Sequence, residues 1–273
     1  MAAMRHAIVT GGSSGIGYAI VRQLLGDGYR VTVIALDDAA LKALADSDFD
    51  LSRNGDLRTE PADVSDRNAV ERAVQHAVAD GGRCDLLVTS AGIGGAGRFL
   101  ELDSTEFERH MSVNYLGTLY PVRAVARSMM ERRAGTIVLI SSFAALLGVY
   151  GYSAYAPPKY AVRGLAETLR TELRPHGIRV ACAFPTDVDT PMLAAAHATM
   201  PPETRALAGS AGRLPAERAA AAILRGVRRG RCRIFCDRRS AFLARFAELA
   251  PGLIRRLIDR KVRSVTGSTP RLR

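Results

Sequence analysis

The chain has 273 residues, 48% hydrophobic and 24% charged, the make-up of a soluble globular protein long enough for one large core or two modest ones. Its formal net charge of +11 is localised: residues 225–273 hold fifteen Lys and Arg against three Asp and Glu, while residues 1–224 hold 23 basic against 24 acidic side chains. MAAMRHAIVTGG lacks an apolar signal core, no uncharged apolar run reaches the roughly eighteen residues of a membrane span, and Cys84, Cys182, Cys232 and Cys236 lack CxxC spacing or a histidine cluster. A cytoplasmic chain with no metal centre and no disulfide framework is expected.

Short β-branched runs alternate with longer segments of helical spacing. HAIVT (6–10) reads as a strand leading into TGGSSGIG (10–17), which opens a helical segment near 16–27. RVTVIA (30–35) is the second strand. Between Asp46 and Val64 the chain is polar and carries Pro61, so a short third strand ending at Ala62 is expected. A helix near 67–80, DLLVTS (85–90), a helix over 104–133, TIVLISS (136–142), a helix over 159–175 and IRVACAF (178–184) follow. Residues 185–214, rich in Ala, Pro and Thr, read as a mobile excursion of the kind that forms a lid; a helix near 215–229 and RCRIFC (231–236) close the pattern. This βαβ alternation, with right-handed crossovers, predicts an α/β fold: a Rossmann-type doubly wound parallel sheet with helices on both faces, one domain over 1–237. Residues 238–273 read as a basic helical extension, in which apolar positions from Ala241 to Val265 recur at helical spacing and Pro251 divides two helices.

In TGGSSGIG, Gly11, Gly15 and Gly17 permit a tight turn and a close backbone approach, and the following helix offers N-terminal amides and the positive end of its dipole. A pyrophosphate is the natural occupant; the plainer alternative is a tight strand-to-helix connection. YAPPK (155–159) sets a phenol and an amine at i and i+4, separated by Pro157 and Pro158. The first four amides of a helix have no intrahelical partner, so both prolines fit the first turn of a helix that Tyr155 enters and that runs to about Arg174.

These motifs occur in a fixed order: TGGSSGIG, Asp63-Val64 after the third strand, SAG at 90–92, Asn114, Ser142, then Tyr155 and Lys159. In that order they resemble the short-chain dehydrogenase/reductase family, over residues 5 to about 190. The resemblance implies hydride-transfer chemistry by Asn114, Ser142, Tyr155 and Lys159, with Asn114 holding a water that links the lysine to solvent. It implies a nicotinamide dinucleotide at Gly11, Ser13, Ser14, Gly15, Ile16, Gly17, Leu36, Asp63, Val64, Ser90, Ala91, Gly92, Tyr155, Lys159, Pro185, Val188 and Thr190. Self-association as a homodimer or homotetramer through the helices at 104–133 and 159–175 is implied as well. A narrower resemblance, carried by GVYGYSAYAPPKYAVRGLAETLRTELRPHGIRV, PTDVDTP and GRCRIFCDRRSAFLARF, is to the 3-ketodihydrosphingosine (3-dehydrosphinganine) reductases. It implies a long-chain 3-keto amine as substrate, with another lipid, acyl-thioester or steroid carbonyl, or a non-catalytic nucleotide-responsive protein, as alternatives.

The residue types suit the chemistry. A ketone that accepts hydride becomes an alkoxide and needs a proton donor in place. A phenol of ordinary pKa about 10 serves if a neighbouring ammonium such as Lys159 lowers it, and Ser142 supplies a neutral hydrogen bond to the same oxygen. Taken singly, Tyr155 also fits a half-buried core tyrosine, Ser142 a strand-end serine and Lys159 a solvated helix residue. At the positions that separate NAD from NADP stand Ala35 and Leu36, neither the acid nor the arginine; NADP(H) is expected from the missing acid, with NAD(H) left open by nearby Asp37 and Asp38. Thr89-Ser90 and Thr186 depart from the family's usual asparagine and glycine. For the tail, one option is an apolar stripe packed on the body or a partner subunit. The other is a basic amphipathic helix on an anionic lipid surface. Nucleic acid is not expected, because interleaved aromatics and a binding motif are both missing.

Overall fold

Unbroken runs of Val, Ile, Leu and Ala suit strands buried on both faces, and in a computed structural model, which describes residues 4–46, 56–208 and 212–266, they form the middle of a parallel sheet. The strands are β1 His6–Thr10, β2 Arg30–Ala35, β3 Leu57–Pro61, β4 Cys84–Thr89, β5 Gly135–Ile140, β6 Ile178–Phe184, β7 Asp187–Asp189, β8 Arg213–Pro215 and β9 Arg233–Phe235. Seven of them make one sheet in the order β3-β2-β1-β4-β5-β6-β9, and β7 with β8 make a second, two-stranded one. The order reverses between β1 and β4, the switch point at whose carboxyl side doubly wound folds bind ligands.

The helices are α1 Gly15–Gly26, α2 Asp38–Asp46, α3 Arg67–Gly81, α4 Ser104–His110, α5 Gly117–Arg132, α6 Ala156–Leu173, α7 Pro191–Thr199, α8 Pro202–Leu207, α9 Ala216–Arg228, α10 Arg238–Leu249 and α11 Pro251–Thr266. One apolar core joins α1, α2 and α9 to the sheet, and a second joins α3, α5 and α6 to its other face. The expected doubly wound architecture is therefore present.

Several boundaries differ from expectation for local reasons. The strand expected at 136–142 stops at Ile140, because Ser142 turns into a single 3-10 turn, Phe143–Ala145, and its Oγ accepts from Ala144 N at 3.1 Å. The helix expected over 104–133 is interrupted by a π-helical stretch, Met111–Leu116, which shifts the hydrogen-bond register while leaving apolar spacing nearly helical. Helix α2 was not expected; Asp37 initiates it, its Oδ1 accepting from Ala39 N at 2.9 Å and Ala40 N at 3.1 Å. The short third strand is present as β3, and the polar residues 47–55 before it lie outside the described residues. Residues 185–214, read as a mobile excursion, contain β7, α7, α8 and the start of β8, with 209–211 outside the described residues.

Pro251 does separate two helices in the tail. Helix α10 buries Ser240, Ala244 and Ala247, and its Glu248 accepts from Arg233 at 2.6 and 3.1 Å and from Arg163 at 3.2 Å. Helix α11 packs on α8, with Ile254, Ile258, Val262 and Val265 half-buried along one stripe. Residues 267–273 lie outside the described residues, among which no helix is long and apolar enough to cross a membrane.

Candidate active site

The residues that follow β1, β4, β5 and β6 border one cleft of about 440 Å³. Gly11, Ser14, Gly15, Ile16, Gly17, Ser90, Ala91, Gly92, Pro185, Val188 and Thr190 line it, together with Ser142, Tyr155 and Lys159. Among the other expected residues, Ser13, Leu36, Asp63, Val64 and Asn114 are outside this lining. Leu36 is 72% exposed just past β2; Asp63 Oδ1 accepts from Ser65 N at 2.8 Å and from Ser65 Oγ at 2.7 Å; and Val64 packs against Gly117.

Backbone sterics explain the glycines. Gly11 has φ +66°, and a Cβ there would sit 2.6 Å from the Cα and N of Ala91, so the first turn meets the strand-end loop backbone to backbone. A Cβ on Gly17 would fall on the Gly11 carbonyl oxygen. Ser14 is the N-cap of α1 in extended conformation and makes no side-chain cap, so no capping side chain covers the amides of that first turn. Such a cradle fits the pyrophosphate of a dinucleotide.

Helix α6 explains the two prolines. It starts at Ala156 with Tyr155 as its N-cap residue in helical conformation, which puts Pro157 and Pro158 in the first turn where no intrahelical donor is needed. The i, i+4 relation therefore survives: the Lys159 ammonium lies 5.8 Å from the centre of the Tyr155 ring. Lys159 is 5% exposed and donates to Ile140 O at 3.3 Å, while Ser141 Oγ donates to the Lys159 carbonyl at 2.7 Å. Burial pushes the Lys159 ammonium down to about 8. Tyr155 is hydrogen-bonded to Ser142, and its ring meets Tyr152 edge-on at 5.4 Å and His110 at 6.3 Å.

The expectation that Lys159 lowers the Tyr155 pKa is corrected here. Burial raises the phenol above its ordinary value, the bond to Ser142 opposes the rise, and the Asp187 carboxylate adds to it. Desolvation therefore outweighs the hydrogen bond, and the phenol stands above its ordinary value despite the lysine that Ile140 O holds beside the ring.

Asn114 lies in the π-helical stretch, fully buried. Its side-chain amide donates to Ile93 O and accepts from Ile93 N, both at 3.1 Å, and its carbonyl accepts from Thr118 Oγ1 at 2.9 Å. A Cβ on Gly92 would stand 2.7 Å from Asn114 Oδ1 and 3.5 Å from Lys159 Nζ, so Asn114 fixes the loop that the cleft shares with the lysine.

Sequence reading missed several lining residues because they come from distant segments. Tyr152, Asp187, Met192, Leu193 and Leu207 line the cleft, and so do Leu257, Ile258 and Lys261 of α11. His110 is buried behind it, its Nδ1 donating to Glu106 O at 2.8 Å, and its Nε2 has no hydrogen-bond partner among the described residues. Helix α8 is fastened to neighbouring loops by Arg98, which pairs with the buried Glu203 at 3.3 Å, and by Thr204 Oγ1, which donates to Tyr150 O at 2.8 Å. The double occurrence of aromatic residues in YSAY was the available signal for Tyr152; nothing local marks Leu257 or Lys261.

The sequence pattern of the family described as short chain dehydrogenase matches residues 5–201. The chain belongs to this short-chain dehydrogenase family. A 3-ketodihydrosphingosine reductase of Mus musculus is 43% identical over 203 residues, 73% of this chain and 61% of the mouse protein. One of Dictyostelium discoideum is 34% identical over 265 residues, 91% of this chain and 78% of its own length. This short-chain dehydrogenase thus spans less than two thirds of the mouse relative. A crystal structure of a short-chain dehydrogenase/reductase from Burkholderia phymatum in complex with NAD superposes with a TM-score of 0.80 at 25% identity, covering 92% of this chain and 95% of that one.

Proposed function

We propose that the chain is a reductase that converts a long-chain 3-keto amine, of the 3-ketodihydrosphingosine type, to the secondary alcohol with NADP(H). The observation that carries this is the Ser142–Tyr155–Lys159 cluster bordering a cleft that is also lined by the glycine cradle and by apolar side chains of α7, α8 and α11. The printed activity of the relatives, 3-ketodihydrosphingosine reductase, supports the substrate class. Gly11, Ser14, Gly15, Ile16 and Gly17 would hold the pyrophosphate, with Ser13, Leu36, Asp63 and Val64 toward the adenosine end. Ser90, Ala91, Gly92, Pro185, Val188 and Thr190 would border the nicotinamide end. When bound, the dihydronicotinamide supplies the hydride.

The protein's own groups handle the oxygen. Tyr155, kept protonated by burial, donates a proton to the carbonyl oxygen as it becomes an alkoxide. Ser142 Oγ already accepts from Ala144 N, which leaves its hydrogen to donate to the same oxygen without competing for the proton. Lys159, with a pKa of about 8, remains largely protonated at neutral pH and stabilises negative charge as Tyr155 gives up its proton. Asn114 holds the 91–95 loop against Lys159.

NADP(H) is preferred because Ala35, where β2 ends, offers no acid to a ribose 2′-hydroxyl, and the nearby Asp37 uses Oδ1 to cap α2. Helices α7 and α8 act as the lid. Helix α11 serves both tail options at once: its half-buried stripe packs on α8, and its outer side combines the half-exposed Leu253 with Arg255, Arg256 and Arg260 toward anionic lipid. Self-association through α5 and α6 completes the proposal. The test is to follow NADPH and NADH oxidation in parallel with 3-ketodihydrosphingosine and with a short 3-oxoacyl thioester. NADPH consumption with the sphingoid ketone is expected to be the fastest; a faster rate with the thioester would point to a 3-oxoacyl reductase, and no turnover of any carbonyl to a nucleotide-responsive protein.

A further inference from the structure

Among the described residues that line the cleft, Asp187 is the only carboxylate, while Lys159 and Lys261 supply its cations. It opens β7, two residues past Pro185, and shares the cleft with Ser142, Tyr152 and Tyr155. The neighbouring Val188 is buried in the core, which fixes β7 against the body, and Arg213 across the pair bonds Asp189. The Asp187 charge raises the pKa of both phenols, so the carboxylate stands within electrostatic reach of the proposed proton donor. A negative charge beside that donor works against forming phenolate. A positive group on the substrate would offset it.

A 2-amino ketone brings such a group: its amine, protonated near neutral pH, is on the carbon next to the carbonyl. If Tyr155 and Ser142 hold the carbonyl oxygen, the ammonium lies in their immediate surroundings, beside the buried Lys159, whose charge repels it. A carboxylate there reverses the sign of the local field and offers charge-assisted hydrogen bonds. The apolar wall takes the alkyl chain.

We propose that Asp187 is the ammonium subsite of this cleft: it receives the protonated amine of a 2-amino ketone while Ser142 and Tyr155 hold the carbonyl oxygen. This rests on the amino-ketone reductase reading. The group recognised is a primary ammonium next to the reacting carbon, not the hydroxyl or the chain. Asp187 is therefore a specificity residue for head-group chemistry.

The experiment compares kcat/KM for 3-ketodihydrosphingosine with that for the same chain lacking the amine, in wild type, Asp187→Asn and Asp187→Glu. Any general effect of the lost charge on Tyr155 moves both substrates alike and cancels in the ratio. The wild-type preference for the amine is expected to fall about 10- to 100-fold in Asp187→Asn, chiefly through KM, as for a lost hydrogen bond between charged groups. Asp187→Glu is expected to keep part of it. NADPH titration of each variant checks that the cradle is intact, and if Asp187→Asn does not fold, the Glu variant and wild-type protection by protonated against N-acetylated product decide the matter. An unchanged ratio in a folded Asn variant, or equal protection by the two products, overturns the subsite alone. A wild type that turns over other ketones but not the sphingoid one overturns the amino-ketone reading, and the subsite with it.

Discussion

Replacing Tyr155 with Phe removes a single oxygen from the cleft and little else. The ring keeps its edge contacts with Tyr152 at 5.4 Å and His110 at 6.3 Å, and the Lys159 ammonium keeps its place 5.8 Å from the ring centre through its bond to Ile140 O. What disappears is the hydrogen bond to Ser142, whose Oγ still accepts from Ala144 N, so the effect on stability should be about 1 kcal/mol or less. The effect on turnover is far larger, because the alkoxide loses its proton donor: a factor of about 10² to 10⁴, or roughly 3 to 5 kcal/mol of barrier. The two effects are read separately, the first by urea unfolding and NADPH titration, the second by kcat at saturating cofactor and ketone. The reasoning is refuted if the variant binds NADPH like wild type and turns over within about threefold of it, since a general acid contributes more than that.

Three further outcomes are expected. Leu36→Arg should tighten NADP(H) more than NAD(H), because a guanidinium at this exposed position after β2 can form bidentate bonds to the 2′-phosphate; an unmoved ratio of dissociation constants would show that Leu36 is not beside the ribose. Lys159 has a folded pKa of about 8 against an ordinary 10.5, so above about pH 8 the unfolded chain binds a proton that the folded one does not, and this residue's contribution to stability rises with pH. Cys84, Cys182 and Cys236, raised from 9.0 to about 12, act in the opposite direction above pH 9, so the urea midpoint is compared between pH 8 and 9, where Lys159→Met should flatten the rise seen in wild type. The chain should sediment with anionic but not neutral liposomes, with an attraction that fades as the Debye length shortens from about 8 Å at physiological salt. Reversing Arg255, Arg256 and Arg260 to Glu should weaken this and slow turnover of membrane-presented ketone only; equal slowing of a short soluble ketone would make the tail purely structural.

Local signals carried the fold well where one segment determines its own shape. The strands at 6–10, 30–35 and 178–184 are found with the expected bounds, because continuous β-branched runs between turn residues leave little choice. The glycine turn and the proline pair were legible for the same reason, since φ +66° at Gly11 and the proline-tolerant first turn of α6 are properties of a few consecutive residues. Positions set by partners were not. The π-helical interruption around Asn114 is invisible to periodicity, since one added residue per turn keeps the apolar spacing close to helical while the Ile93 backbone selects the new register. The Tyr155 pKa depends on burial and on Asp187, thirty-two positions away in the chain, so the i, i+4 spacing to Lys159 gave the wrong sign. The wall contributed by Leu257 and Ile258 requires knowing that α11 packs on α8.

The central claim is that hydride is delivered to the carbonyl carbon of a long-chain 3-keto amine in this cleft. The most direct measurement incubates the protein with 3-ketodihydrosphingosine and NADPH deuterated at the transferable position, then weighs the sphingoid product by mass spectrometry. Product carrying one deuterium on the carbinol carbon, formed by wild type and nearly absent with Tyr155→Phe, is the predicted result. Unlabelled product, or no product while another ketone is reduced under the same conditions, would contradict it.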